Sequence, residues 1–373
     1  MNVETVSFLK NCFGDYYSNT SINPPVNAGM REWGHIEWSI KDDTRMHRHN
    51  TLLDYGSLME YLTTHTPQHV YFSAAKYNHP SADSTDAKLL DGADLIFDLD
   101  ADHIPGYDES KYSYSEMLER CKEELTSLLA LLESDFGIED YDVIFSGGRG
   151  YHVHVRSDDL QYLDSDARSE IVEYIIGESI SLDSITYPKQ NGNAEYPKLY
   201  TKGGWGERVH VHAIEKSNSE DFEKYLLNTE GIGAQTMKKI IKNRDAIENG
   251  EMKPESVMRK FYTRVLNEVI FEQGAAIDEP VTTDIHRLIR LPGSLHGGSG
   301  LCVTRIDDIE SFNPLVDAVP REFKNEVVSI TPTKTFDYTF NGEEYSFSSG
   351  DVVELSKPLA IHLMASGKAK YTI

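Results

Sequence analysis

The chain has 373 residues, 39% of them hydrophobic, which excludes a largely disordered protein and leaves room for one large or two ordinary domains. No apolar run approaches the roughly 20 residues that span a bilayer, and the N-terminus lacks the apolar core of a signal peptide. The sequence therefore predicts a cytoplasmic protein with no membrane partner. Three cysteines without paired spacing argue against a disulfide framework and fit a reducing compartment.

The charge balance of the chain is strongly acidic. Asp and Glu number 61 against 36 Lys and Arg, a formal net charge of −25. This argues against a nucleic-acid partner, because phosphate binding normally uses a basic surface. It is also expected of a protein adapted to molar salt, where the Debye length shrinks to about 3 Å and extra carboxylates favour solubility. The acidic residues are spread along the whole chain, which favours salt adaptation.

Hydrophobic patterning predicts interleaved helices and strands. Helices are predicted over residues 5–15, 114–135, 166–182, 218–268 and 357–366. Strands are predicted over residues 31–48 (a pair with a turn at 41–43), 69–75, 94–100, 142–146, 151–156, 275–278, 301–306 and 326–348. Because these elements follow no regular βαβ rhythm, the predicted fold class is α/β or α+β, built on mixed sheets.

A lysine-rich helical stretch at residues 215–268 lies between two strand-bearing regions and is predicted to be an insertion. The remaining residues, 1–214 and 269–373, are predicted to form the core. Within the insertion, residues 226–242 (LLNTEGIGAQTMKKIIK) resemble half of a helix-hairpin-helix, in which a Gly-Ile-Gly turn presents backbone N–H groups to a DNA phosphate. The alternative is a helix pair joined by a glycine C-cap and a turn.

The first chemical motif is LIFDLDAD at residues 95–102. Side chains at i and i+2 of a strand share a face, roughly 6–7 Å apart, so Asp98 and Asp100 present two carboxylates to the same space. Oxygen ligands on a rigid strand suit Mg²⁺ or Mn²⁺, including a pair of ions. The alternatives are a strand end with solvated aspartates, or the nucleophile motif of haloacid-dehalogenase-type phosphatases, which has a Thr where this chain has Asp102.

The second motif is VIFSGGRGYHVHV at residues 143–155, a strand, a glycine-rich turn and a returning strand. Glycines such as Gly147 let the backbone approach a phosphate closely, and successive N–H groups form an anion-binding nest. Arg149 offers a bidentate guanidinium for phosphate oxygens, beside Ser146 and His152. The motif is not a Walker A loop, because it lacks GK[ST] and no helix follows. A plain tight hairpin would need neither the arginine nor the histidine.

The third motif is IDEPVTTDIHRLIRLPGSLHGGSG at residues 277–300. Asp278 ends a short apolar run and is predicted to add a third carboxylate from a neighbouring strand. Arg287, Arg290 and His296 surround a Pro-Gly-Ser turn and offer cationic or donor groups. A solvated basic loop is the alternative, but in so acidic a protein an anionic ligand explains the loop better. The three motifs together predict a triphosphate site, since phosphoryl transfer needs positioning and charge neutralisation.

The three motifs, in this order, closely resemble those of the archaeo-eukaryotic DNA primase small subunit. The resemblance covers most of the chain, including the aromatic residues of the N-terminal helix, the segment at residues 31–48 and the YFSAAKY stretch before the first motif. It implies a primase catalytic core of mixed sheets with a variable helical insertion. The acidic composition points to a member from a salt-loving archaeon.

The resemblance also implies roles for individual residues. Asp98, Asp100 and Asp278 match the catalytic metal-binding carboxylates, and Ser146, Arg149 and His152, with Gly147, match the nucleotide-binding loop. Arg290 and His296 match the cationic groups of the later loop. Asp284 is a competitor for the third carboxylate, but the family places that Asp 18 residues before the loop histidine, which favours Asp278.

The implied activity is synthesis of short RNA primers for DNA replication on a single-stranded DNA template, from ribonucleoside triphosphates, by two-metal nucleotidyl transfer with Mg²⁺ or Mn²⁺. The implied partner is a large regulatory subunit, giving a heterodimer. Many archaeal members carry a Cys/His zinc knuckle after the first motif. Residues 102–121 offer only His103 and Cys121, so zinc is not expected.

Other functions remain open from the residues alone. One is a related repair-type primase-polymerase, and another is a phosphatase that uses the first motif. A third is a non-catalytic nucleic-acid-binding subunit that keeps only the fold. Loss of any of the three carboxylates would have favoured this last function, and none is missing.

Overall fold

The structure is a computed structural model that describes residues 1–40, 45–52, 56–104, 112–187, 196–323 and 326–372. The helices are α1 (Val3–Asn19), α2 (Leu58–His65), α3 (Tyr114–Phe136), α4 (Ser165–Ile176), α5 (Gly204–Asn218), α6 (Phe222–Leu227), α7 (Ala234–Lys242), α8 (Arg244–Glu248), α9 (Glu255–Gln273), α10 (Glu279–Thr283), α11 (Pro314–Asp317) and α12 (Lys357–Ala365). No helix of the described ranges is both long and apolar enough to cross a membrane.

The strands are β1 (Trp33–Ile36), β2 (Met46–Asn50), β3 (His69–Ser73), β4 (Ala75–Tyr77), β5 (Leu90–Ala93), β6 (Leu95–Asp100), β7 (Tyr141–Phe145), β8 (Gly150–Val155), β9 (Thr186–Tyr187), β10 (Lys198–Leu199), β11 (Leu288–Arg290), β12 (Thr304–Ile306), β13 (Val327–Pro332), β14 (Phe336–Phe340), β15 (Glu343–Phe347), β16 (Val353–Ser356) and β17 (Ala369–Tyr371). The helices and antiparallel sheets confirm the predicted α+β class.

Two four-stranded antiparallel sheets carry the motifs. One has the strand order β11-β3-β1-β2 and the other the order β12-β7-β8-β6. In the second sheet β8 lies between β7 and β6, and all six of its residues are buried, which explains its run of apolar and histidine residues. The strand pair predicted over residues 31–48 is confirmed as β1 and β2, while its turn at 41–43 lies outside the described residues.

The chain divides into two compact units. The first comprises residues 1–123, 140–169 and 277–373, and the second comprises residues 124–139 and 170–276. The second unit is therefore larger than the predicted insertion at 215–268, because α5 and neighbouring segments pack with α9. The insertion boundaries, as a feature of the family, stay a prediction.

A buried arginine links the segments that precede β6 in the first unit. The Arg31 guanidinium pairs with the Asp94 carboxylate at 2.8 Å, and both side chains are almost fully buried. Nη1 of Arg31 donates to the carbonyls of Ser73 and Ala74, at 2.7 and 2.9 Å. Arg168 donates to the Asp94 carbonyl at 3.1 Å. These bonds fix the chain immediately before β6, since buried charged groups that are fully paired tolerate little displacement.

The second unit is mainly helical. The buried side chains of α9, from Val257 to Val269, recur at helical spacing and form the face that packs against α5. The Gly-Ile-Gly turn lies between α6 and α7, where Gly231 has a φ of +73° and Gly233 is the N-cap of α7. The C-cap of α6 is Asn228, so the two helices are joined by a turn without a glycine C-cap. The helix-hairpin-helix interpretation stays a prediction.

Some predicted elements differ from the structure. The helix predicted over 166–182 ends at Ile176, and the strand predicted over 301–306 is limited to β12. The strand predicted over 275–278 was wrong: these residues are in no strand, because the chain turns into α10 directly after Asp278 and Pro280 has no N–H to continue a ladder.

Candidate active site

The first motif forms strand β6, which places its two carboxylates side by side. Asp98 is opposite His152 and Asp100 is opposite Gly150 in the antiparallel pairing of β6 with β8. Strand alternation puts Asp98 and Asp100 on one face. The Asp98 side chain is 20% exposed and the Asp100 side chain 36% exposed, so both reach solvent from a rigid strand.

Asp278 joins this pair from the loop between α9 and α10. Its backbone N–H donates to the Asp98 carbonyl at 2.8 Å, which holds Asp278 beside β6 although it is in no strand. Its carboxylate is 16% exposed and lies 3.9 Å from Nε2 of His103. The competitor Asp284 is exposed and lies in the electrostatic neighbourhood of Arg48 and Tyr77 instead.

The three carboxylates repel one another. The pKa of Asp98 is raised to about 7, chiefly by burial and next by the Asp100 charge, with a smaller contribution from Asp278. Arg290 partly offsets this by favouring the ionised form. An excess of negative charge among oxygen donors fits Mg²⁺ or Mn²⁺. Two ions about 3.5–4 Å apart need a broader set of oxygens than one ion does. The ligand atoms of the three carboxylates do not all lie within 4.8 Å of one another, and the ions that they bind stay a prediction.

The glycine-rich loop packs directly on the third motif. Gly147 has a φ of +76°, and a Cβ there would lie 2.7 Å from Cβ of His296. A Cβ at Gly150 would lie 1.7 Å from the Leu99 carbonyl oxygen. Glycine is therefore required at both positions. The Gly148 N–H donates to Oγ of the buried Ser146 at 3.3 Å, so the serine shapes the loop from beneath.

Arg149 lies at the tip of this loop and extends over the carboxylates. Its guanidinium forms an ion pair with Asp102 and lies 3.6 Å from Oδ1 of Asp100. The Arg149 side chain is 37% exposed, so a phosphate can reach it. Asp102, which stands at the position where a phosphatase would have Thr, instead holds this arginine.

His152 lies beneath the carboxylates. Nε2 is 3.5 Å from Oδ1 of Asp98, the side chain is 2% exposed, and Nδ1 has no hydrogen-bond partner among the described residues. Burial, and to a smaller extent Arg290, lowers the pKa of His152 to about 3. The imidazole is therefore neutral and contacts Asp98, whereas the sequence predicted a nucleotide-binding residue. Direct contact with a nucleotide would require this side chain to become exposed.

Arg290 and His296 approach the same space from the third motif. Arg290 ends β11, its guanidinium lies 5.7 Å from the centre of the Tyr71 ring, and Nε has no partner among the described atoms. The His296 ring contacts His69 edge to face at 4.8 Å. Burial, followed by the Arg290 charge, holds the pKa of His296 well below its usual value. The lowered pKa favours the neutral imidazole, which keeps the donor role of the two that the sequence offered, and nucleotide binding by His296 stays a prediction.

These groups line one cavity of about 320 Å³. Asp100, Ser146, Gly148, Arg149, Arg290 and His296 line it from the three motifs. Tyr114, Tyr338, His362 and Lys368 also line it, and motif reasoning did not identify them. Lys368 adds a cation on the side contributed by the C-terminal residues.

His362 connects the C-terminal helix to the glycine-rich loop. Its Nδ1 donates to the Ser299 carbonyl at 2.8 Å, since a carbonyl only accepts, and Nε2 accepts from the Tyr338 hydroxyl at 2.5 Å. The Ser299 hydroxyl in turn donates to the Gly147 carbonyl. Burial lowers the pKa of His362 to about 4, so this chain of bonds runs through a neutral imidazole. No local spacing could have revealed it.

Comparison with known proteins identifies the family. A family model described as "DNA primase small subunit" matches residues 97–308, which contain the second and third motifs and all but the first two residues of the first. The chain is 39% identical to the DNA primase small subunit PriS of Haloarcula marismortui, over 99% of both chains. The chain belongs to the DNA primase small subunit family.

Further relatives support this membership. The chain is 40% identical to PriS of Halorubrum lacusprofundi over 99% of both chains, and 40% identical to PriS of Methanococcoides burtonii over the full length of both. The relatives come mostly from halophilic archaea, which agrees with the net charge of −25. As a primase small subunit, the chain is an enzyme of DNA replication, and its matched region spans the carboxylates, the glycine-rich loop and His296.

Proposed function

We propose that the chain is the catalytic subunit of a DNA primase that joins ribonucleoside triphosphates on a single-stranded DNA template by two-metal nucleotidyl transfer. The observation that carries the proposal is the position of Asp98, Asp100 and Asp278. Asp98 and Asp100 lie on β6 and Asp278 is bonded to it, and Asp100 lines the same cavity as Arg149 and Arg290. Negative ligands next to cationic groups are what a metal-bound triphosphate requires.

The charge of each side chain determines the role that we propose for it. Asp98, Asp100 and Asp278 would hold Mg²⁺ or Mn²⁺, which when bound neutralises phosphate charge and polarises the reacting oxygens. Arg149 and Arg290 bind the nonbridging phosphate oxygens and stabilise the charge on the departing pyrophosphate. In this reaction the primer 3′-hydroxyl gives up its proton to water, its oxygen bonds to the α-phosphorus, the bond from the α-phosphorus to the bridging oxygen breaks, and pyrophosphate leaves.

Other groups position the nucleotide. The backbone N–H of Gly147 can donate to a phosphate, because a glycine lets the backbone approach closely, and the Gly148 N–H could do so if it released Oγ of Ser146. The neutral His296 imidazole can donate one hydrogen bond without bringing a charge. Before nucleotide binds, Asp102 and Asp100 occupy the Arg149 guanidinium, and an incoming phosphate would replace them.

A large regulatory subunit would complete the enzyme. The relatives are named small subunits, which implies a larger partner. With a net charge of −25 the chain has little electrostatic attraction for DNA. A second subunit that supplies further template contacts would raise affinity through multivalency. We expect a heterodimer that binds template better than either subunit alone.

A repair-type primase-polymerase and a non-catalytic nucleic-acid-binding subunit are the alternatives. The first would use the same carboxylates but prefer deoxyribonucleotides. The second would bind nucleic acid and would not incorporate nucleotides. The test is incorporation of labelled nucleotide on single-stranded DNA, with Mg²⁺ or Mn²⁺, by the chain with and without its large subunit.

Matched substitutions make this test specific. We expect Asp98→Asn, Asp100→Asn and Asp278→Asn each to lower incorporation by on the order of 10³-fold, because an amide binds a divalent cation far less well than a carboxylate. Asp284→Asn is the control and should keep wild-type activity. Full activity of Asp98→Asn would refute the two-metal proposal. Inactive Asp284→Asn with active Asp278→Asn would mean that the third ligand is Asp284.

A further inference from the structure

A second group of metal-binding side chains lies away from the nucleotide cavity. His35 on β1, Glu37 just after β1 and His65 at the end of α2 bring their ligand atoms within 4.8 Å of one another. Among the described residues this is the one group of three or more His, Cys, Asp or Glu side chains that meets that distance. Two imidazoles and a carboxylate are a donor set that suits Zn²⁺.

The hydrogen bond between Nδ1 of His35 and Tyr61 leaves Nε2 of His35 directed at this group. Its Nδ1 lies 2.6 Å from the hydroxyl of the fully buried Tyr61, and its Nε2 lies 3.8 Å from Oε1 of Glu37. Metal-binding histidines commonly hydrogen-bond through the second nitrogen, which fixes the orientation of the ring. Tyr61 performs that task here when Nδ1 donates to it. The His65 ring lies 5.3 Å from the His35 ring, centre to centre.

Only small movements separate these atoms from a zinc site. Tetrahedral ligands at Zn–N and Zn–O distances near 2.0 Å are about 3.3 Å apart. The His35 Nε2 to Glu37 Oε1 distance of 3.8 Å is already close to that value. The Glu37 side chain is 62% exposed, so it can rotate inward at little cost. The His35 side chain is 5% exposed, and its ring packs against the rings of Tyr61 and His65.

The group lies on the opposite face of the sheet from the nucleotide cavity. On β1 and β3, His35 is paired with Val70, and Ile36 is paired with His69. Paired residues share a face and neighbouring residues alternate, so His35 and His69 point to opposite faces. The His69 ring contacts His296, which lines the nucleotide cavity, whereas the His35 ring contacts Tyr61 and His65 on α2.

We propose that His35, Glu37 and His65 bind one Zn²⁺ ion that fastens β1 to α2. A water molecule would complete the four-coordinate site. The exposed His47, which is paired with His35 on β2 and stacks on its ring at 5.1 Å, is close enough to compete with that water. The role is structural, since the ion lies on the face of the sheet away from the nucleotide. This proposal departs from the expectation, drawn from the sequence, that the chain binds no zinc.

Metal content provides the direct test. The full chain is stripped with EDTA in molar KCl, loaded with Zn²⁺, freed of unbound Zn²⁺ by gel filtration in the same KCl buffer and measured by plasma mass spectrometry. We expect one equivalent in the wild type and in the control His79→Ala, which removes an exposed histidine outside the group. We expect loss of that equivalent in His65→Ala and in Glu37→Gln. Substitution by Co²⁺ should give the visible absorption of a tetrahedral nitrogen and oxygen site in the wild type and in His79→Ala, and not in His65→Ala or Glu37→Gln.

A second variant and a melting experiment keep the test independent of misfolding. Glu37→Gln alters an exposed side chain, so its fold should persist and its circular dichroism should match the wild type. Zn²⁺ at a hundredfold excess over Kd should raise Tm by about 5 °C in the wild type and not in Glu37→Gln. Tyr61→Phe should weaken Zn²⁺ binding by about 10- to 100-fold, because Tyr61 positions His35. Zinc content that is unchanged in His65→Ala and Glu37→Gln, or absent from the wild type, would overturn the proposal.

Discussion

Asp98 and His152 lie opposite each other on β6 and β8, 3.5 Å apart, yet they do not form an ion pair at any pH. Burial and neighbouring charges raise the pKa of Asp98 to about 7 and lower that of His152 to about 3. Between these values both groups are neutral, and above pH 7 the carboxylate faces a neutral imidazole. The contact therefore leaves the Asp98 charge uncompensated, and a bound cation has charge to neutralise.

The raised pKa of Asp98 predicts a stability cost in the metal-free protein. The unfolded carboxyl has a pKa of 3.8 and the folded one about 7. The folded state disfavours ionisation of Asp98. The free energy of unfolding therefore falls as pH rises from the unfolded pKa to the folded pKa, and it falls no further at higher pH. Asn imitates the protonated form. Asp98→Asn should therefore raise the free energy of unfolding at about pH 8, by on the order of 4 kcal/mol, and by much less at about pH 5.

Denaturant unfolding in the presence of EDTA, at constant high KCl, measures this difference. The matched control is Asp91→Asn, which alters an exposed aspartate and should change little at either pH. A stabilisation of Asp98→Asn that is equal at both pH values would show that the effect does not come from ionisation. The same substitution is expected to abolish synthesis, so stability and activity should change in opposite directions.

Arg149 is expected to act on the nucleotide and not on the template. Arg149→Ala removes a charge-assisted donor to phosphate, which should lower kcat/KM for the nucleotide by about 10- to 150-fold. Arg149→Lys should restore part of it, because an ammonium keeps the charge but not the bidentate geometry. Kinetics against nucleotide concentration, beside template binding by fluorescence anisotropy, measure both. Arg321→Ala, at an exposed arginine, is the control. A change in template affinity alone would place Arg149 on the DNA instead.

His362 is expected to act as a positioning residue for the glycine-rich loop. His362→Ala removes the donor to the Ser299 carbonyl and the acceptor for Tyr338, and it should lower the free energy of unfolding by about 1–3 kcal/mol. KM for the nucleotide should rise, because Ser299 also donates to the Gly147 carbonyl. His362→Asn keeps a donor to the Ser299 carbonyl. Its KM for the nucleotide should therefore stay closer to the wild-type value than its free energy of unfolding does. If His362→Ala and His362→Asn change KM and the free energy of unfolding to the same extent, the role of His362 is purely structural.

The catalytic residues were predictable where they are close in the sequence. Asp98 and Asp100 needed only strand alternation, and Arg149 follows from a glycine-rich turn between two apolar strands. The approach of Asp278 to β6 follows from the family resemblance and depends on a backbone hydrogen bond that no pattern reveals. The lowered pKa of His296 could not be predicted, because it depends on burial and on the Arg290 charge, which the sequence does not display.

Contacts between distant segments account for what the sequence could not predict. His362 and Ser299 are 63 residues apart, and the histidine looks like an ordinary member of an apolar helix.

The helix α2 was missed although its start carries a capping box, with Ser57 and Glu60 bonded to each other's backbone N–H groups at 3.2 and 2.7 Å. A search for that Ser-x-x-Glu spacing would have found it.

The net charge of −25 predicts that the fold depends on salt. At about 0.1 M salt the Debye length is about 10 Å, so carboxylates spread over the surface repel one another, whereas at molar salt it is about 3 Å. We expect circular dichroism to show a folded chain in about 2 M KCl and loss of structure on dilution to about 0.05 M. Sucrose at equal osmolality is the control, since it excludes itself from protein surfaces without screening charge.

The same salt dependence predicts how the template is bound. With about four phosphate contacts to a single strand, affinity should fall by about 3.6 decades between about 0.1 and 2 M salt. Binding at high salt must then come from base stacking and from the surface of a partner. We expect the isolated chain to bind single-stranded DNA weakly and the large subunit to restore binding, as measured by anisotropy across a KCl series. A chain that stays folded in dilute buffer and binds DNA tightly alone would contradict salt adaptation, because the carboxylates would then impose no measurable repulsion.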